Sequence, residues 1–277
     1  MGSDPIAAPS RPQNVIIHIW TKVGKSCGNQ ALSRNRHSRN TSRPKKYHPR
    51  SKGNTMTGKT QMSESFRTAA ALALVGGFLE TYTFLLHGHV FANAQTGNIA
   101  LCGMAIAEAD WIRALKYATP VISFALGVCS VEWVRNHWSF ARMHWRQSVI
   151  LVEVALLSGC FFLHGTAQDM LANLLVSIAC AFQVQAFRKV RGTSYASTMC
   201  TGNLRSATVA WIAWKRTGQA EARQQSFYYA GVIGVFLTGS ALAIPFVRLM
   251  RETAILLPIA FLTLAGLLMS IHPPRQA

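Results

Sequence analysis

From Phe66 onward, long apolar runs alternate with short polar ones, at lengths that a soluble core does not require. An apolar helix of about 20 residues crosses a hydrocarbon layer of about 30 Å. Six runs approach that length: residues 68–88, 117–134, 148–164, 170–187, 226–247 and 253–271. The first (TAAALALVGGFLETYTFLLHG) and the last (TAILLPIAFLTLAGLLMSI) are the plainest. Two further stretches, 93–109 and 197–214, are apolar enough to be helical but short or broken, and each carries the same tripeptide near its start, Thr96-Gly97-Asn98 and Thr201-Gly202-Asn203. The pattern predicts an all-α, polytopic transmembrane helix bundle of six spans plus two short TGN-containing helices, re-entrant or spanning.

The offset between the two tripeptides also lays the first long run on the fourth and the second on the fifth, and it sets Glu80 on Gln185. Two internal repeats follow, about 66–165 and 168–272, within a transmembrane domain spanning 66–277. Loop charge favours six spans. With the basic N-terminal side inside, Arg135, Arg142 and Arg146 fall inside without an acid, as do seven basic residues from Arg188 to Arg223 against Glu221. Residues 89–116, with Arg113 and Lys116 balanced by Glu108 and Asp110, fall outside, as the positive-inside rule expects. That count makes the repeats inverted, with one TGN hairpin entering from each face. If both TGN segments span, there are eight helices and a parallel repeat.

Composition agrees with a lipid solvent: 14% of residues are charged, where a soluble domain carries roughly 25%. The formal net charge is +18, but twelve of the 28 Lys and Arg lie in residues 1–65 against Asp4 and Glu64. That tail is rich in Ser, Asn, Arg, Lys and Pro, and its one apolar run is Val15 to Trp20, too little to offset its ordering entropy. It is expected to be disordered, with no secretory signal and no specific nucleic acid as partner. Met56 and Met62 stand as alternative starts. The six cysteines are scattered singly, without metal-ligand spacing, and read as small buried apolar residues.

Few residues remain that could carry chemistry. Glu80 sits among Phe78, Leu79 and Phe84 in the first run, where a carboxylate costs at least about 2.5 kcal/mol to insert, so it must face the bundle interior and marks an ion or proton path. Glu153 and Glu132 are weaker candidates, close enough to span ends to reach the interface. Thr-Gly-Asn suits a chain break followed by a helix, since Thr and Asn accept from free N–H groups and Gly permits a tight backbone. A half-helix N-terminus inside a membrane suits an anionic group. The candidate ligand or transport residues are therefore Glu80, Thr96, Gly97, Asn98, Gln185, Thr201, Gly202 and Asn203. Asn173, Gln183 and Gln185 give the fourth run a polar stripe expected to face its partner helix. His87, His89, His144 and His164 read as solvated interfacial residues, and six tryptophans (111, 133, 138, 145, 211 and 214) as interfacial anchors. No nucleophile-elbow, zincin, Walker or dinucleotide motif occurs, so no enzyme, cofactor or metal site is expected.

The run Gly76-Gly77-Phe78-Leu79-Glu80, then Phe84 to Gly88, Phe91 and Gln95-Thr96-Gly97-Asn98-Ile99, resembles the YoaK-like family of bacterial membrane proteins, known as domain of unknown function 1275. Gln183 to Phe187 followed by Thr201-Gly202-Asn203 is similar to that family's second element. The resemblance covers roughly Phe66 to His272. Two departures stand out: Glu80-Thr81 where the family pattern has Asp-Ala, and a basic tail without a counterpart. The resemblance implies a multi-pass protein of the bacterial inner membrane and no substrate. The expectation is a small secondary transporter or permease for an unknown small solute or ion, with homo-oligomers open. The alternative is a non-transporting membrane scaffold or accessory subunit.

Overall fold

A computed structural model describes residues 66–137, 145–163, 165–190, 193–195 and 197–271; the basic tail, Cys27, Trp138, Arg142, His144 and His164 lie outside the described residues. The described chain is helical: α1 (Phe66–Leu86), α2 (Gln95–Ala107), α3 (Trp111–His137), α4 (Trp145–Cys160), α5 (Asp169–Ala186), α6 (Cys200–Thr217), α7 (Ala220–Met250) and α8 (Leu256–Ile271). Short 3₁₀ turns, Thr166–Gln168 and Arg251–Ile255, precede α5 and α8, and a two-rung antiparallel ladder pairs Lys189 with Ser194 and Val190 with Thr193. Four stretches are long and apolar enough to cross a membrane: Phe66–Leu86, Trp111–Asn136, Asp169–Ala186, and Ala220–Met269, which runs through the turn at Arg251. Large apolar side chains such as Ile122, Leu126, Trp133, Leu237 and Leu249 stand exposed on the outside of the helices, the inverse of a water-soluble surface.

Two helix pairs organise the interior. α1 lies along α7 in the same direction: Phe66 stacks on Tyr228 at one end (5.7 Å between ring centroids), and Tyr82 Oη donates to the Glu252 carbonyl at the other (3.1 Å). The seam is made of small residues, because a Cβ on Gly77 would strike the Phe236 carbonyl and one on Gly239 the Leu74 carbonyl. Ser240 Oγ donates across it to the Gly77 carbonyl at 3.0 Å. α3 lies along α5 in the same way: Lys116 and Asp169 both stand near Gly88 at one end, and Glu132 meets Gln185 and Arg188 at the other. There a Cβ on Gly127 would stand 2.7 Å from the Ala181 Cβ. Such close helix approach is what small residues allow where lipid removes the hydrophobic driving force.

The remaining helices dress these pairs. α2 folds back along α3, with Cys102 Sγ at 3.5 Å from the Ala114 carbonyl, and α6 folds back along α7, with Ser226 Oγ donating to the Ala207 carbonyl at 3.0 Å. α4 packs on α5, α8 on α1, and α4 and α8 meet each other. α1 has no polar stripe, since neighbours cover it nearly all round; Leu72, Ala73, Leu79 and Tyr82 are all buried.

Candidate functional site

The centre of the candidate site is the middle of α1. After Leu86, Gly88 (φ 74°) and His89 (φ 58°) reverse the chain, and glycine at the first of these positions takes the left-handed conformation without steric cost. The return runs alongside α1 to the level of Glu80 and Gly76, about 9 to 15 Å back along the helix at 1.5 Å per residue. There Glu80 accepts from the Asn93 N–H (2.7 Å) and the Ala94 N–H (3.0 Å), one on each carboxyl oxygen. Asn93 Nδ2 donates to the Gly76 carbonyl at 3.2 Å. Helix α2 starts from that point.

Irregular backbone inside a bundle must find partners for its polar groups. Asn98 supplies several: its Oδ1 accepts the Phe91 N–H (3.2 Å), and its Nδ2 donates to the Phe91 carbonyl (2.6 Å) and to Gln95 Oε1 (3.1 Å). Asn173 Nδ2 donates to the His87 carbonyl (2.9 Å), and Ser177 Oγ to the Ala92 carbonyl (3.2 Å). The polar stripe of α5 thus faces α1 and the return that follows it.

The second TGN segment arrives at the same place from the other end of the bundle. Thr198 abuts Gly76, where a Cβ would stand 2.6 Å from Thr198 Cγ2. Gln183, 1% exposed, donates to the Leu72 carbonyl (3.0 Å) and to Ser197 Oγ (2.8 Å). Cys200, the first residue of α6, is close enough to Glu80 to interact with it electrostatically. Both short helices therefore begin beside residues 76–80 of α1. Asn98 and Asn203 are buried, while Thr96, Thr201 and Gly202 are exposed. Among the described residues, two buried atoms here have no hydrogen-bond partner: Asn93 Oδ1 and Thr198 Oγ1.

Several expectations change. The tripeptides do not cap their own helices: the N-caps are Ala94 and Met199, neither with a side-chain cap bond, and Glu80 of another helix takes the N–H groups of Asn93 and of the N-cap Ala94, just ahead of α2. Gln185 is not the counterpart of Glu80. It lies at the end of α5 against Glu132, which also pairs with Arg188 and with Arg135 (2.6 Å), and the buried glutamine is Gln183. His87 is not a solvated interfacial residue: it is 2% exposed, with Nδ1 3.0 Å from Asp169 Oδ1. Glu153 is enclosed by protein, at 1% exposure, in the middle of α4.

Residues 68–268 match the family described as Protein of unknown function (DUF1275). Over 142 residues the chain is 29% identical to the UPF0700 transmembrane protein YoaK of Bacillus subtilis (strain 168), an alignment that covers 49% of this chain and 62% of that protein. No solved structure matches the chain.

Proposed function

The chain belongs to the DUF1275 family, and from that premise we propose that it is a small membrane permease that carries an anionic solute past the point where two half-helices meet. The observation that carries this reading is the asymmetry of the two helix starts. A helix N-terminus holds a positive partial charge and favours an anionic group. At α2 that group is part of the protein, because both Glu80 oxygens take N–H donors there. At α6 the residue reaching in from the neighbouring span is the neutral Gln183, and the Thr198 hydroxyl beside it has no partner among the described residues. The solute takes at α6 the place that Glu80 takes at α2, touching Thr198, Thr201 and Gly202. Exposed backbone at such depth is tolerated against water and not against lipid, so Thr96 and Thr201 line a wet vestibule.

The same reading makes the TGN segments re-entrant hairpins, leaves six spans, and makes residues 66–165 and 168–272 inverted repeats. Its support is that the end of α1 and the start of α3 share one end of the bundle, with the Lys116 side chain over Gly88. α5 ends and α7 starts at the other. Exchanging α1–α4 with α5–α8 turns the α1–α7 pair into α5–α3, α2–α3 into α6–α7, and α8–α1 into α4–α5. Both TGN helices also close on a left-handed residue, Ala109 (φ 56°) and Gly218 (φ 70°), before the long helix that follows.

Single cysteines at Asp110 and Gly218, in a background without native cysteines, test the topology on intact cells with an impermeant thiol reagent. Six spans put the two positions on opposite faces, so one labels and the other is protected. Equal labelling of both means eight spans.

Transport itself is read in proteoliposomes challenged with inward gradients of chloride, nitrate, formate and phosphate. At least one anion is expected to enter faster than into empty vesicles. Asn98→Ala, which removes three hydrogen bonds from the loop before α2, is expected to cut that rate by tenfold or more, the equivalent of about 1.4 kcal/mol. If none of the four anions moves and none raises the thermal midpoint, the permease reading fails and a scaffold or accessory subunit takes its place.

A further inference from the structure

Glu153 is the second carboxyl held inside the bundle, and the anion site does not use it. It sits about two turns into α4, 1% exposed, on a helix whose Ile150 and Leu157 join the apolar core of the bundle. Glu80 is met by two N–H donors, whereas Glu153 Oε1 has no hydrogen-bond partner among the described residues. An ionised carboxylate in such a place, with no donor on Oε1 and no ion pair among the described residues, is the costliest state the residue could adopt. A cation must therefore accompany any charge it carries.

The surroundings select which cation. Hard metal ions require several oxygen ligands, and among the described residues no three His, Cys, Asp or Glu side chains come together to hold one. A proton needs only the carboxyl itself. From α5 the titratable group nearest Glu153 is Cys180, which is within electrostatic range of both Glu153 and Glu80; Asp169 opens α5, paired with His87. α8 carries no titratable side chain. The 3₁₀ turn before it brings Arg251 and Glu252, which pair with each other. On α4 itself, Arg146 and Cys160 lie two turns to either side.

We propose that Glu153 is a proton-exchanging site inside the membrane, and that its proton is the counter-charge that travels with the anion bound at α6. The second half of this statement rests on the permease reading; the first does not. Dicyclohexylcarbodiimide provides the probe, since it reacts with a protonated carboxyl in apolar surroundings. The carboxyl oxygen bonds to the carbodiimide carbon, the proton goes to nitrogen, and the adduct rearranges to a stable N-acylurea that mass spectrometry can locate.

The expected result on the purified full-length protein is an adduct on Glu153 that fades as the bath is made alkaline and is lost in Glu153→Gln. In proteoliposomes containing a pH dye and challenged with inward nitrate or chloride gradients, acidification that accompanies anion entry disappears with the reagent and with the variant. A protonated-carboxyl infrared band, which needs no reagent access, is expected in the wild type and absent from Glu153→Gln. Identical infrared spectra for wild type and variant over the pH series overturn the proposal. A labelled Glu153 in a protein that moves none of the four anions upholds the proton site and overturns the permease reading. Anion entry with unlabelled Glu153 and no acidification does the reverse.

Discussion

Gly239→Val is expected to leave no folded bundle. A Cβ at this position meets the Leu74 carbonyl of α1, with Leu74 Cα at 3.0 Å, so the obstacle is main chain and cannot turn aside as a side chain would. Overpacking a protein interior costs about 1 to 3 kcal/mol even where side chains can shift. Here α1 and α7 would have to separate along their seam, which also breaks the Ser240 to Gly77 hydrogen bond and opens the interior where both short helices begin. The loss should reach or exceed the upper end of that range. The measurement is size-exclusion elution and thermal midpoint in mild detergent. Gly103→Ala is the control, because nothing lies within 4 Å of its added Cβ and replacing a helical glycine by alanine costs nothing or stabilises. A Gly239→Val protein that elutes and melts like the wild type would mean that the seam is far looser than the structure has it.

The second large effect is expected at Glu80, where Glu80→Ala strands the buried N–H of Asn93 and the part-buried N–H of Ala94 together. A buried donor left without its acceptor costs about 1 to 3 kcal/mol, so Asn93 puts that much at stake within the loop and the less buried Ala94 adds a smaller amount. Glu80→Gln retains one acceptor oxygen and turns an amide NH₂ toward the other donor, so it should recover part of the loss and no more. The effect is local, since α1 itself keeps its packing. Amide hydrogen exchange over residues 87–98 is expected to quicken by at least tenfold in Glu80→Ala, less in Glu80→Gln, with the α1–α7 seam still protected. Unchanged exchange in that loop would remove Glu80 from its capping role and, with it, the argument that the α6 end is the vacant counterpart.

Part of this design is legible along the chain. A helix in lipid satisfies its own backbone within one segment, so apolar length alone marks where helices stand, and all eight were visible, with ends misplaced by a few residues where amphipathic turns such as Trp111 to Lys116 extend α3. The cost of a carboxylate among Phe78, Leu79 and Phe84 likewise forces Glu80 inward whatever surrounds it. What Glu80 does there was not legible, because its partners are backbone N–H groups, which every residue carries and no sequence distinguishes. The same holds for the seam glycines: Gly77 and Gly239 look like ordinary helical glycines until another helix's carbonyl is set against each. His87 and Glu153 show the limit from the other side. Both are polar residues near the ends of the apolar runs, and burial of one beside Asp169 and of the other inside the bundle depends on which helices pack together. The sequence by itself determined the solvent, the helices, the paired TGN segments and the family, since these follow from local hydrophobicity and from motif. Only the tertiary structure decided that both TGN helices start against the middle of α1, that Gln183 and not Gln185 is the buried amide, and that Glu153 Oε1 has no hydrogen-bond partner among the described residues, because each of these is a relation between segments far apart in the chain.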